Sequence, residues 1–136
     1  MIKRFIFKRL RDEISQPQID IILGPRQVGK TTLLKQLEEY CKQQGCKTGF
    51  FDLEQPQVLA EFNAADKEVV NKIKSAGEVV FIDEFQYIEN ASKILKAIFD
   101  SPQRIKIICS GSSSLKIQKH LRESLAGRRF LFRVDP

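Results

Sequence analysis

Hydrophobic positions along this chain alternate between two rhythms. Short apolar-rich runs occur at Ile19-Asp20-Ile21-Ile22-Leu23, Thr48-Gly49-Phe50-Phe51-Asp52-Leu53, Val79-Val80-Phe81-Ile82, Arg104-Ile105-Lys106-Ile107-Ile108-Cys109 and Arg129-Phe130-Leu131-Phe132-Arg133-Val134, and each predicts a strand. Between them the apolar residues recur every three or four positions. Leu33, Leu34, Leu37, Tyr40 and Cys41 predict a helix that stops at Gln44-Gly45. Val58, Leu59, Phe62, Val69, Val70 and Ile73 predict helix from Pro56 to Ser75, with Asn63 and Asp66 as a place to split it and Gly77 as its end. Ile94, Leu95, Ile98 and Phe99 mark a further helix, and residues Leu115 to Leu125 another. Such alternation predicts an α/β fold in which helices cover both faces of a parallel sheet.

Ahead of the first strand, Ile2, Phe5, Ile6, Leu10 and Ile14 fall roughly on one helical face, which predicts a separate amphipathic helix within residues 1–16. Charge singles out the same segment. The net charge is +6, and Lys3, Arg4, Lys8, Arg9 and Arg11 supply five charges within the first eleven residues, leaving +1 for the rest. The basicity therefore belongs to a segment rather than to the whole surface, which weakens a general nucleic-acid reading. Its apolar face is expected to dock on the body near the loop described next, with contact to DNA or anionic lipid as the alternatives.

The chain of 136 residues predicts one domain of ordinary soluble composition, 42% hydrophobic and 29% charged. No apolar run approaches the roughly eighteen residues of a membrane span, and the charged N-terminus does not read as a secretory signal, so the cytoplasm is the expected compartment. Cys41, Cys46 and Cys109 have neither zinc-site spacing nor the even number of a disulfide framework.

Directly after the first strand stands Gly24-Pro25-Arg26-Gln27-Val28-Gly29-Lys30-Thr31, followed by Thr32, a full G-x-x-x-x-G-K-[ST] sequence between a strand and a helix. That context lets a glycine turn expose a row of backbone N–H groups to phosphate, with the positive end of the following helix dipole aimed at the same anion. Lys30 is expected to serve the β- and γ-phosphates, and the Thr31 hydroxyl a Mg²⁺ ion. Asp83 and Glu84 follow the third strand, at the strand edge where open α/β sheets bind ligands. Asp83 is assigned to Mg²⁺, and Glu84 to the attacking water. The run Asp83-Glu84-Phe85-Gln86 lacks the glycine of a GTPase D-x-x-G, and no arginine-rich kinase lid is evident, which favours a hydrolase with an additional strand in its sheet.

Four segments together, Gly24 to Thr32, Ile82-Asp83-Glu84-Phe85-Gln86, Ser110-Gly111-Ser112-Ser113 and Glu123-Ser124-Leu125-Ala126-Gly127-Arg128, resemble prokaryotic AAA+-type ATPases of the archaeal-ATPase-like group. The resemblance implies a P-loop NTPase three-layer sandwich with a five-stranded parallel sheet of order 5-1-4-3-2, spanning residues 17–136, and ATP as the nucleotide. It implies a polar sensor at the end of the fourth strand, with Ser110 and Ser112 both open and helix capping as their alternative role. It also implies an arginine finger reaching a neighbouring subunit, with Arg128 the candidate and Arg129 and Arg122 in reserve. Gln86 and Asp52 lie near the expected site or are ordinary surface polar residues, and His120 reads as solvated. Asp135-Pro136 falls where such proteins pass into a helical lid, so the core is expected without its lid and C-terminal domain. The function so implied is Mg²⁺-dependent ATP hydrolysis that drives conformational change in an attached domain, neighbouring copy or partner. A nucleotide-dependent, DNA-associated binding module and a small-molecule kinase are the alternatives.

Overall fold

The chain, seen in a computed structural model, is described over residues 2–25, 29–112 and 129–133, the last of these by backbone alone. The two rhythms resolve into helix α1 (Ile2–Asp12), strand β1 (Ile19–Leu23), α2 (Lys30–Gln43), β2 (Thr48–Asp52), α3 (Pro56–Glu61), α4 (Asp66–Ala76), β3 (Val79–Asp83), a 3₁₀ turn (Phe85–Tyr87), α5 (Ala91–Phe99), β4 (Lys106–Gly111) and β5 (Arg129–Arg133). All strand pairs are parallel. Four strands follow the order β2-β3-β4-β1 that the resemblance implies, and β5 pairs along the remaining edge of β1, from Ile19 opposite Arg129 to Leu23 opposite Arg133. Every residue of β1, β3 and β4 is buried, as the near-continuous apolar runs require of strands covered on both faces.

Side chains alternate across the sheet and fill two cores. On one face Ile22, Phe81 and Ile108 meet Leu33, Leu34, Leu37 and Cys41 of α2 and Ile6 and Leu10 of α1. On the other, Ile21, Leu23, Val80, Ile82 and Cys109 meet Val69 and Ile73 of α4 and Ile94, Leu95 and Ile98 of α5. Phe5 departs from the expected apolar stripe and is 63% exposed, whereas Phe7 packs partly against the core. A helix turns about 100° per residue, which sets Phe5 well away from the Ile6–Leu10 line.

The expected helix from Pro56 to Ser75 is two helices, broken where Phe62 turns inward against Phe51, their ring centroids 5.0 Å apart. The fourth strand begins and ends two residues later than its apolar run suggested. Ser110 and Gly111 lie inside it because they pair with Ile22 and Leu23 of β1. The expected helix from Leu115 to Leu125, with His120, lies outside the described residues.

At the edge where the strands begin, one ion pair interrupts the apolar interior. Lys106 Nζ lies 3.0 Å from Asp20 Oδ2 and donates to the backbone carbonyls of Gln16 (3.2 Å) and Gln18 (2.5 Å). Desolvation pushes the Asp20 carboxyl up to about 6 despite the pull of Lys106, and lowers the Lys106 ammonium. Burial likewise raises the Cys41 thiol to about 11 and the Cys109 thiol further, which keeps both in the unreactive form.

Candidate functional site

At the opposite edge, where the strands end, the chain leaves β1 through Gly24, whose N–H donates to Gly111 O at 3.3 Å and carries the ladder one step beyond the strands. Gly29, immediately before α2, has φ 87° and ψ 21°, in the left-handed region where glycine carries no Cβ penalty. Its successor, Lys30, is therefore the first residue of the helix and points back across the turn. Lys30 Nζ donates to Gly24 O (2.6 Å) and Gly111 O (2.8 Å) and lies 3.4 Å from Glu84 Oε2. Only 4% of Lys30 is exposed, so this buried charge is matched by two carbonyls and a carboxylate.

Thr31, one residue further, donates its hydroxyl to Asp83 Oδ2 at 2.6 Å. The other carboxylate oxygen of Asp83 accepts a short hydrogen bond from Ser110 Oγ, and Ser110 Oγ in turn accepts the Glu84 N–H at 2.8 Å. Ser110 thus ties β4 to the end of β3, holding the Asp83 carboxylate directly and Glu84 by its backbone N–H. Glu84 itself is in the left-handed region, φ 60° and ψ 55°, an unfavourable conformation for a residue with a Cβ. There the strand turns into the 3₁₀ turn, and Gln86 Nε2 donates to Glu84 Oε1 at 2.8 Å. Phe85 closes the floor: a Cβ on Gly111 would stand 2.5 Å from its ring, so only glycine lets β4 pass this closely.

Lys30, Thr31, Asp83, Glu84 and Ser110 therefore meet at one strand edge, with Gly24 and Gly29 bounding the turn. Thr32 and Gly29 line a cleft of about 440 Å³ together with Leu33 and Gln36 of α2 and Arg4 and Phe7 of α1. Pro25 is exposed on the turn, and Ser112 is half-buried just past β4. Arg26, Gln27, Val28, Arg122 and Arg128 lie outside the described residues, and Arg129 is described only as the backbone residue that begins β5. Gln86, expected near the site or as a surface polar residue, is in the site through its contact with Glu84, and Gly111, expected just past the fourth strand, is the last residue of β4 and supplies a carbonyl to Lys30. Lys30, expected to reach for phosphate, is held by three partners, and Glu84 is 5% exposed and engaged with two side chains.

The AAA domain family matches residues 16–136. The chain belongs to that family. Its body is a AAA+-type P-loop NTPase core, as the replication initiator DnaA, in a structure bound to AMPPCP and single-stranded DNA, illustrates at the level of fold. That structure superposes with a TM-score of 0.65 at 17% identity, over 97% of this chain and 45% of the other. An uncharacterised protein of Methanocaldococcus jannaschii is 26% identical over 136 residues, covering 86% of this chain and 27% of its own length. One of Haemophilus influenzae is 28% identical over 125 residues, covering 87% and 31% respectively. The chain thus spans about a third or less of the length of these two uncharacterised relatives. No helix among the described residues of this AAA core is long and apolar enough to cross a membrane.

Proposed function

We propose that this AAA core binds ATP with Mg²⁺ and hydrolyses it to drive conformational change in an attached domain or neighbouring copy. One observation carries the reading: the lysine and threonine that open α2 converge on the two carboxylates that close β3, through contacts of 2.6 to 3.4 Å. Gly24 to Thr32 cradle the phosphates, and the Lys30 ammonium exchanges its carbonyl partners for phosphate oxygens. Thr31 Oγ1 and Asp83 Oδ2 are two hard oxygens one hydrogen bond apart, a donor pair that fits Mg²⁺, which needs few protein ligands beside water and phosphate. When bound, the ion offsets phosphate charge. Glu84 accepts the proton of the attacking water, and Ser110 holds the Asp83 carboxylate and the Glu84 backbone in place. Ser112, beyond the strand, takes the sensor role that Ser110's engagement leaves to it. The cleft beside Arg4 and Phe7 receives the ribose and base.

In this scheme Arg128 reaches the phosphates of a neighbouring copy. Turnover by residues 1–136 alone is slow, and the setting is the cytoplasm, where ATP and Mg²⁺ are abundant. Glu84's engagement with Lys30 and Gln86 favours, as the second reading, a nucleotide-dependent binding module with little turnover. DNA is its candidate partner by analogy with DnaA.

Glu84→Gln separates the two. Under hydrolysis it lowers single-turnover phosphate release about 10²- to 10⁴-fold while ATP binding persists. Equal release by the wild type and Glu84→Gln leaves the binding-module reading, and release only on adding a small-molecule acceptor indicates a kinase.

A further inference from the structure

We propose that Gln86 is the positioning residue for Glu84, holding its carboxylate while Lys30 is drawn away to the nucleotide. The proposal rests on the hydrolysis reading and gives a role to Gln86, which the sequence placed near the site without one.

Glu84 has two side-chain partners with different prospects. Lys30, 3.4 Å from Oε2, is the cation that phosphate oxygens compete for. Gln86, 2.8 Å from Oε1, is anchored in the 3₁₀ turn by its neighbour Phe85, which is buried over Gly111. When Lys30 shifts its bonds to phosphate, a carboxylate held by Lys30 alone swings after it. One held at Oε1 by an amide N–H stays where the left-handed backbone and the Ser110 bond aim it.

The Gln86 amide is also placed at a cost. Its Oε1 is buried and accepts no hydrogen bond among the described residues, and a Cβ on Gly111 would lie 3.1 Å from it. Turning the amide over would satisfy nothing, because Oε1 would then face the Glu84 carboxylate. A buried carbonyl left without a donor weighs against a purely packing role and fits an amide retained for its N–H end. The same few residues hold the non-glycine left-handed conformation of Glu84, so two unfavourable features converge on the orientation of one carboxylate.

Gln86→Met keeps the length of the side chain and removes the donor. Single-turnover ATP hydrolysis is expected to fall about 10- to 100-fold, with ATP affinity within about twofold of wild type. In a Glu84→Gln background the same substitution should change nothing further, which a merely structural role would not reproduce. Gln86→Asn, an amide too short to reach, should lose the same rate and serves if Gln86→Met does not fold. Hydrolysis within twofold of wild type, loss of affinity in step with rate, an additive loss in the Glu84→Gln background, or failure of both variants to fold overturns the proposal. If the wild-type chain releases no more phosphate than Lys30→Ala, the hydrolysis reading itself fails, and a crystal structure of Gln86→Met decides the positioning role separately. A Glu84 carboxylate displaced from its wild-type place supports that role, and an unmoved one overturns it.

Discussion

The two edges of this sheet hold the same inventory of groups and use it differently. At each, a buried lysine meets two backbone carbonyls and one carboxylate: Lys106 with Gln16 O, Gln18 O and Asp20, and Lys30 with Gly24 O, Gly111 O and Glu84. Lys106 and Asp20 project from neighbouring strands, approach to 3.0 Å, and tie the segment after α1 to β4. Lys30 stands 3.4 Å from its carboxylate, on a helix entered through a left-handed glycine and beside an open cleft, and its carboxylate rides on a left-handed turn. Partner chemistry alone does not separate a cross-link from a site. Glycine-lined approach, strained backbone and adjoining space do.

Removing each lysine tests that contrast most severely. Lys106→Met leaves Asp20 buried without its cation and should destabilise the fold by about 3 to 5 kcal/mol, read from the urea midpoint, with ATP affinity of the folded protein unchanged. Loss of affinity at unchanged stability would mean that the lower pair belongs to the site. A smaller effect follows from pH. The Asp20 carboxyl sits at about 6 in the fold against 3.8 when exposed, so the folded chain keeps a proton that the unfolded chain has released. Its contribution to stability is full below about pH 4 and is lost as pH rises through about 6, by an amount of order 3 kcal/mol. Urea titrations between those limits should show that slope in the wild type and its absence in Asp20→Asn. The same slope in both would place the titration elsewhere.

The upper site was far more legible in the sequence than the lower pair. Gly24 to Thr31 announce a turn by local chemistry, and Asp83-Glu84 interrupt an apolar run where the strand order puts ligands. The alternating rhythms likewise yielded the order of elements. Asp20, by contrast, read only as a polar letter within an apolar run. Its partner Lys106 is 86 positions away, and only the adjacency of β1 and β4 brings them together. The end of β4 was misplaced for the same reason, since Gly111 is a strand residue only because Leu23 lies beside it. Gln86 depends on the backbone hand of Glu84, which residue type does not disclose, and Phe5 depends on which part of a broad apolar arc the docking of α1 uses.

The exchange of partners at Lys30 is tested most directly by calorimetric titration of Mg-ATP into the wild type and Lys30→Ala, with Lys106→Met as the control. A loss of at least about tenfold in affinity for Lys30→Ala, at preserved fold, together with wild-type affinity for Lys106→Met, is the predicted result. Equal affinity in the wild type and Lys30→Ala would contradict it, and would make the upper lysine a second cross-link.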